Sequence, residues 1–233
     1  RLGTFRKEFS LPGGIKKHSG LYHVTLHNVT VGDDCCIENV SNYIANYTIG
    51  DGTFIENVDV IIADGPSSFG NGVKVAVLDE TGHRKVTIFD RLTAQTACLM
   101  TMYHAHSEAQ KSIETMISDY VAGVTSATGS IGSNVVIADT GYIKNVKIGD
   151  CCKIEGASRL KNGSINSTRS APVHIGVGVI GDDFIISSGT KVDDGVTLTF
   201  EELKLASNGT KYGYRASEIT DNSFGQAFSY CRK

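Results

Sequence analysis

Residues 30–47 read TVGDDCCIENVSNYIANY, and residues 48–65 read TIGDGTFIENVDVIIADG. Nine of the eighteen paired positions are identical, and Val31/Ile49 is a conservative exchange. A fixed short period means that units of one kind stack on each other. The period has a finer grain. Val31, Ile37, Tyr43, Ile49, Ile55 and Ile61 stand six apart, and so do Ile131, Ile137 and Ile143. Ile148, Ile154 and Leu160 make a third run, and Ile180, Ile186, Val192 and Leu198 a fourth. Gly follows the large apolar residue at Gly32, Gly50, Gly132, Gly149, Gly176 and Gly181. Period six is neither the 3.6 of a helix nor the alternation of a lone strand. It fits a short strand and a tight corner, three times per turn of a coil. The large apolar residue points inward, and the residue two before it (Val29, Cys35, Ser41, Thr53) shares that side, because strand side chains alternate. Tyr47 and Asp59 break the pattern and mark edges of the stack. Gly and Asp give the corners their dihedral freedom.

Sustained hexads resemble those of the hexapeptide-repeat proteins. The resemblance implies an all-β fold, a left-handed parallel β-helix, here interrupted by a β-hairpin and a helical insertion. The handedness comes from the resemblance, since parallel crossovers are otherwise right-handed. Layers of such a coil sit ~4.8 Å apart.

Composition agrees with a folded chain able to bury a sizeable core. Lys plus Arg number 22 against 25 Asp plus Glu, a formal net charge of -3. That argues against nucleic acid as the partner. No apolar run approaches the length of a membrane span. The cysteines fall as Cys35-Cys36 and Cys151-Cys152, with Cys98 and Cys231 apart. Neighbours on a strand face opposite ways, so each pair places one thiol inside and one outside. This is no disulfide framework, and a reducing cytoplasm is the expected location. Sequons at Asn28, Asn39, Asn46, Asn162, Asn166 and Asn208 read as corner and ladder residues rather than glycosylation sites.

The chain divides into five parts. Residues 1–20 form an N-terminal segment in which Phe5, Phe9 and Leu11 cap the open end of the stack. Layers occupy 21–65. Residues 66–128 are the insertion: a hairpin with alternating Val73, Val75 and Val77, a turn at 79–83 and a return strand, then a helical stretch capped by Asp90. Ser107 and Gln110 resemble a capping box and offer a second helix start. Layers resume over 129–200, broken at 162–172, where NGSINSTRSAP leaves the stack as a loop. Residues 201–233 are irregular, as though the chain were part of a longer one.

Two stretches narrow the resemblance. GNGVKVAVLDETGHRKVTIFDRLTAQTA (70–97) and KIEGASRLKNGSINSTRSAPVHIGVGVIGDDFIISSGTKVDDGV (153–196) look like an uncharacterised bacterial family of hexapeptide-repeat proteins, a domain of unknown function. The similarity spans most of 20–200 and includes the insertion. The family implies no reaction. The wider fold resembles acyltransferases and the β-helix part of sugar nucleotidylyltransferases, and fold alone does not assign function.

The first functional expectation is a structural or ligand-binding scaffold for a carbohydrate-like or phosphorylated small molecule. The ejected loop supplies Asn166 and Arg169, and a guanidinium can grip phosphate with two N–H groups. Arg91 and Gln95, at the start of the helical stretch, are further ligand candidates. The alternative is an acyltransferase acting on a sugar or nucleotide sugar, with acetyl-CoA or another acyl-CoA as donor. It requires a general base, and His104 or His106 is the candidate. His174 is outward-facing, and His23 and His27 lack a third ligand, so no metal site is expected. The flat sides of the stack imply a homo-oligomer, a trimer above all, with the helical insertion as an interface element.

Overall fold

The computed structural model describes residues 1–75, 85–103 and 105–199. Among the described residues the chain is mostly β with two α-helices, and its principal sheet is parallel. Strands Cys36–Ile49, Phe54–Ile62, Tyr142–Ile148 and Gly129–Ile131 pair in a closed parallel ring. The ring closes because the long strands turn corners and pair on more than one side.

Pairing follows three rows. Leu21, Ile37, Ile55, Ile137, Ile154, Ile175 and Val192 stack in the first. Leu26, Ile44, Ile61, Ile143, Leu160, Gly181 and Leu198 stack in the second. Val31, Ile49, Ile131, Ile148, Ile165 and Ile186 stack in the third. Apart from Leu21 and Leu26, which pack against it, the large apolar members of these rows are buried in one core. Each such side chain contributes about 1.5–3 kcal/mol by leaving water.

Hexad counting places most of these residues correctly and misplaces three. Tyr43 is 39 % exposed and its neighbour Ile44 is buried. The register shifts by one between Val40 and Tyr43. Ser41, expected inside, is exposed for the same reason. Ile180 pairs with Arg159 on the outer side while Gly181 takes the inward position. A Cβ on Gly181 would meet the Phe184 ring at 2.8 Å, so the glycine makes room for that ring.

Tyr47 marks no edge: it is fully buried. Its hydroxyl donates to the Val146 carbonyl (2.9 Å) and accepts from the Val146 N–H (3.1 Å). Burial pushes its phenol far above the ordinary tyrosine range. Asp59 is exposed and accepts from Asn42 Nδ2 at 2.5 Å.

Corners are made by asparagine, aspartate and glycine in the left-handed region. Asn39 and Asn57 have φ of 53° and 52°, and Asn28, Asn46 and Asn162 have 51°, 57° and 48°. Their side chains link layers: Asn28 Nδ2 donates to Asn46 Oδ1 (2.9 Å), and Asn57 Nδ2 to Asp139 Oδ1 (3.0 Å). Four of the sequon asparagines are thus corner residues, as expected; Asn208 lies outside the described residues. A second ladder uses carboxylates. Asp33 accepts from the Thr4 N–H (2.7 Å), Asp51 from that of Asp33 (2.8 Å) and Asp150 from that of Ser133 (2.8 Å). The Thr4 N–H holds the Asp33 carboxyl below its usual range. Asn57→Ala should lower stability by roughly 1–2 kcal/mol, because a Cβ without a compensating side-chain bond disfavours φ > 0. Asn57→Gly should cost less than Asn57→Ala, and urea unfolding of the two variants measures the difference.

The N-terminal segment covers more than the end. Residues 1–4 run along the first layer, where Val31 N–H donates to Arg1 O (2.8 Å) and Asp34 N–H to Thr4 O (2.6 Å). This occupies an edge that would otherwise expose backbone groups. Phe5 packs against the core. Phe9 instead lies on the side of the stack, its ring centroid 5.3 Å from that of Phe54. It belongs to an antiparallel hairpin, Glu8–Ser10 with Lys16–His18. Lys17 from that hairpin reaches Glu38 (2.9 Å) and Glu56 (2.5 Å), side by side on adjacent strands. The same cover explains the cysteines. Cys35 faces the core, but Cys36 is buried too, on the side the hairpin shields. Cys152 is inside and Cys151 forms a corner with φ of 56°.

The insertion leaves after Phe54–Ile62 and returns at Gly129–Ile131. Lys74–Val75 and Val86–Thr87 form the expected antiparallel hairpin, whose turn at 79–83 lies outside the described residues. Two helices follow, α1 (Ala94–Met102) and α2 (Ser107–Val124). Thr93, not Asp90, caps α1, accepting from the Thr96 N–H at 3.2 Å. α2 starts at Ser107 as the sequence suggested, but without a side-chain cap. Val75, Val86, Ile88, Phe89, Leu92, Ala97 and Ile117 form a second core, joined to the sheet through Ile185.

A candidate ligand-binding seam

Gly70 brings the insertion onto the sheet. Its φ is +79°, and a Cβ there would lie 2.7 Å from the Phe184 carbonyl oxygen and 2.9 Å from that of Asn162. Only glycine allows that approach. Gly70 N–H donates to Asn162 Oδ1 (3.0 Å), and Ser164 Oγ donates to the Phe69 carbonyl (2.6 Å). The buried Asn71 then reaches across the seam. Its Nδ2 donates to the Ser68 carbonyl (2.7 Å), and its Oδ1 accepts from the Asp90 N–H (2.7 Å).

Asp90 is the hub. Its carbonyl accepts from Asn166 Nδ2 at 2.7 Å, and its carboxylate accepts from the Tyr120 hydroxyl. The Arg91 guanidinium lies over the Tyr120 ring at 5.3 Å, and the Phe89 ring meets that ring edge-on at 5.8 Å. Burial, followed by the Asp90 carboxylate, pushes the Tyr120 phenol up to about 12. A raised phenol favours the fold below its unfolded value near 10 and loses that contribution as pH climbs through about 12. Stability should therefore fall across pH 10–12, and Asp90→Asn should shift the Tyr120 ionisation downward. Ultraviolet titration of tyrosinate, compared with Tyr120→Phe, reads that shift.

The loop beside Asp90 is shorter than the sequence implied. Arg159–Ile165 is a continuous strand in register with Tyr142–Ile148 and Ile180–Ile186. Asn162 only turns a corner within it. The surplus follows: Ile148 and Ile165 pair at an offset of 17 residues, Ile154 and Ile175 at 21. Four extra residues therefore sit between 166 and 174. Ser167 Oγ accepts from the Val173 N–H (2.9 Å) and closes the loop's base, with Thr168, Arg169 and Ser170 exposed above it.

Two of the expected ligand residues, Arg91 and Asn166, are thus brought to one hub, bridged by Asp90. Arg169 is exposed on the adjoining loop, and Gln95 is exposed in the first turn of α1. The sequence offered Asp90 only as a helix cap and did not point to Asn71 or Tyr120. In the sequence Tyr120 only continues the helical spacing of Ile113, Met116 and Ile117, and Asn71 stands between two glycines, a turn pattern. The signal that could have found them is the polar tip on each: a hydroxyl or amide facing a buried seam requires a partner.

His106 is the exposed N-cap residue of α2, with the Tyr103 ring 5.7 Å away. His104 lies outside the described residues. His174 faces outward, as expected, and its Nε2 lies 3.1 Å from Glu155 Oε2. The thiols of Cys36 and Cys152 are pushed up by burial to about 11 and about 12, which leaves little thiolate for nucleophilic chemistry.

A family model described as a domain of unknown function, DUF4954, matches residues 1–211. The chain belongs to the DUF4954 family. An uncharacterised protein of Treponema pallidum (strain Nichols) is 29 % identical over 196 residues, which are 79 % of this chain. The chain spans 26 % of that relative's length. No solved structure matches it. Among the described residues of this DUF4954 chain, no helix is long and apolar enough to cross a membrane.

Proposed function

We propose that this chain is a ligand-binding scaffold: a left-handed parallel β-helix of hexapeptide repeats that holds a phosphorylated small molecule at the seam around Asp90. The three-row register with corners at Asn, Asp and Gly supports the β-helix reading. The observation that carries the ligand reading is the convergence of Arg91 and Asn166 on Asp90, beside the loop that exposes Arg169. Asp90 accepts from Tyr120, and the Arg91 guanidinium lies over the same ring, which places a cation at the seam for an anion to meet. The scaffold assembles as a homo-oligomer, with a trimer favoured. Apolar side chains exposed on the insertion helices, Leu99, Met102 and Met116, support contact there.

Calorimetry with glucose 1-phosphate, and glucose as the uncharged control, tests the seam. Binding of the phosphate ester alone is expected, and Arg91→Ala and Arg169→Ala should each weaken it about tenfold, the worth of a charge-assisted hydrogen bond. Equal binding by wild type and both variants would refute the site.

A further inference from the structure

One side of the sheet is covered by neither the N-terminal hairpin nor the insertion among the described residues. The hairpin lies against Phe54, Glu38 and Glu56, and the insertion against Asn162, Ser164 and Ile185. The open side carries two outward rows. Tyr43, Val60, Tyr142 and Arg159 follow one another on adjacent strands in the first. Ala45, Ile62, Lys144, Lys161 and Asp182 do so in the second.

The rows have a definite chemistry. Tyr43 and Tyr142 are two strand spacings apart, roughly 9–10 Å, with the nearly buried Val60 between them. Lys144 follows Tyr142 on the same outward side of the strand and is bonded to Asp64 at 2.6 Å. Arg159 and Lys161 come next, sharing Asp182 at 3.5 and 3.4 Å with half of each side chain exposed. Arg159 and Lys161 thus set two cations on one carboxylate at this end of the rows, while Asp59 and Asp183 stand at the borders of the side.

We propose that this side binds a linear acidic glycan, laid across the strands along the row from Tyr43 to Arg159. Tyrosine rings on a flat surface offer faces on which the C–H groups of pyranose rings stack, with phenol tips for sugar hydroxyls. Arg159 and Lys161 meet carboxylates further along the same line, where the guanidinium can grip in bidentate fashion. The flatness suits an extended polymer rather than a compact molecule. Two cations sharing one carboxylate suit sparse acidic groups and fall short of what a nucleic-acid backbone demands at one charge per phosphate. This inference concerns a different surface from the Asp90 seam and stands independently of it.

The test titrates full-length protein with oligogalacturonate, a neutral cello-oligosaccharide and oligo(dT), and records light scattering of the free protein. Oligogalacturonate should bind best, more weakly as salt rises. Tyr43→Ala and Tyr142→Ala should each weaken it about tenfold, and Arg159→Gln should flatten the salt dependence. All three positions are on the surface, and unchanged thermal melts would show that folding is intact. Glucose 1-phosphate binding should survive the tyrosine changes, which separates this surface from the seam. The inference is overturned by no binding of oligogalacturonate at millimolar concentration, by unchanged binding in the tyrosine variants, or by preference for oligo(dT). Dissociation of an oligomer by Tyr43→Ala would also overturn it, since the side would then be an interface between copies.

Discussion

Phe184→Ala is expected to lower the unfolding free energy by about 4 kcal/mol, within the range for truncating a buried aromatic side chain. The Phe184 ring is almost fully buried and occupies the interior beside two glycines. A Cβ on Gly163 would come within 2.3 Å of it, and one on Gly181 within 2.8 Å. The ring therefore fills space that its neighbours in two layers leave open, and those backbones cannot collapse into the gap. Phe184→Leu should cost considerably less, since it keeps most of the volume. Urea unfolding followed by far-ultraviolet circular dichroism gives both values. A loss for Phe184→Ala below about 1.5 kcal/mol would mean that the layers relax into the cavity.

Gly129→Val should destabilise by about 3 kcal/mol through the opposite fault, overpacking. Gly129 pairs in register with Tyr47, and a Cβ on it would lie 2.4 Å from the ring of that tyrosine. The ring cannot swing aside, because its hydroxyl is tied to both backbone groups of Val146. Tyr47→Val removes the clash and should recover part of the loss. The double variant should then be more stable than the sum of the two changes by about 2 kcal/mol, a coupling of the size found between residues in contact. Strict additivity would show that ring and glycine do not share the same space.

The two predictions rest on one inner row that hexad counting left almost untouched. Tyr47, Gly129, Val146, Gly163 and Phe184 follow one another through the layers, large beside small. In the sequence these residues are scattered over more than a hundred positions, and nothing local relates a glycine to the ring that uses its vacancy. The apolar rows were legible because their spacing repeats. Ile37, Ile55, Ile137 and Ile154 could be placed inside by counting alone. Counting failed where one surplus residue changed the phase, at Tyr43, and where a glycine took the inward place, at Gly181.

The candidate site divides in the same way. Arg91, Asn166 and Arg169 could be suspected from residue type and from a run of turn-forming residues. That Asn166 binds the carbonyl next to Arg91 could not, because the two are 75 positions apart and belong to different parts of the fold. The outward rows of the open side are likewise invisible in sequence: Tyr43, Tyr142 and Arg159 become neighbours only through the stacking register.

The sequence by itself determined the repeat, the inward isoleucines, the corner asparagines and the presence of a hairpin and helices between two blocks of layers. Each of these depends on a few consecutive residues and on the preference of a side chain for burial or for positive φ. Only the tertiary structure decided which side the hairpin and the insertion cover, which tyrosine is buried and which exposed, and which polar groups meet at Asp90. Those outcomes depend on register between distant segments, where a shift of one residue moves a side chain to the opposite face.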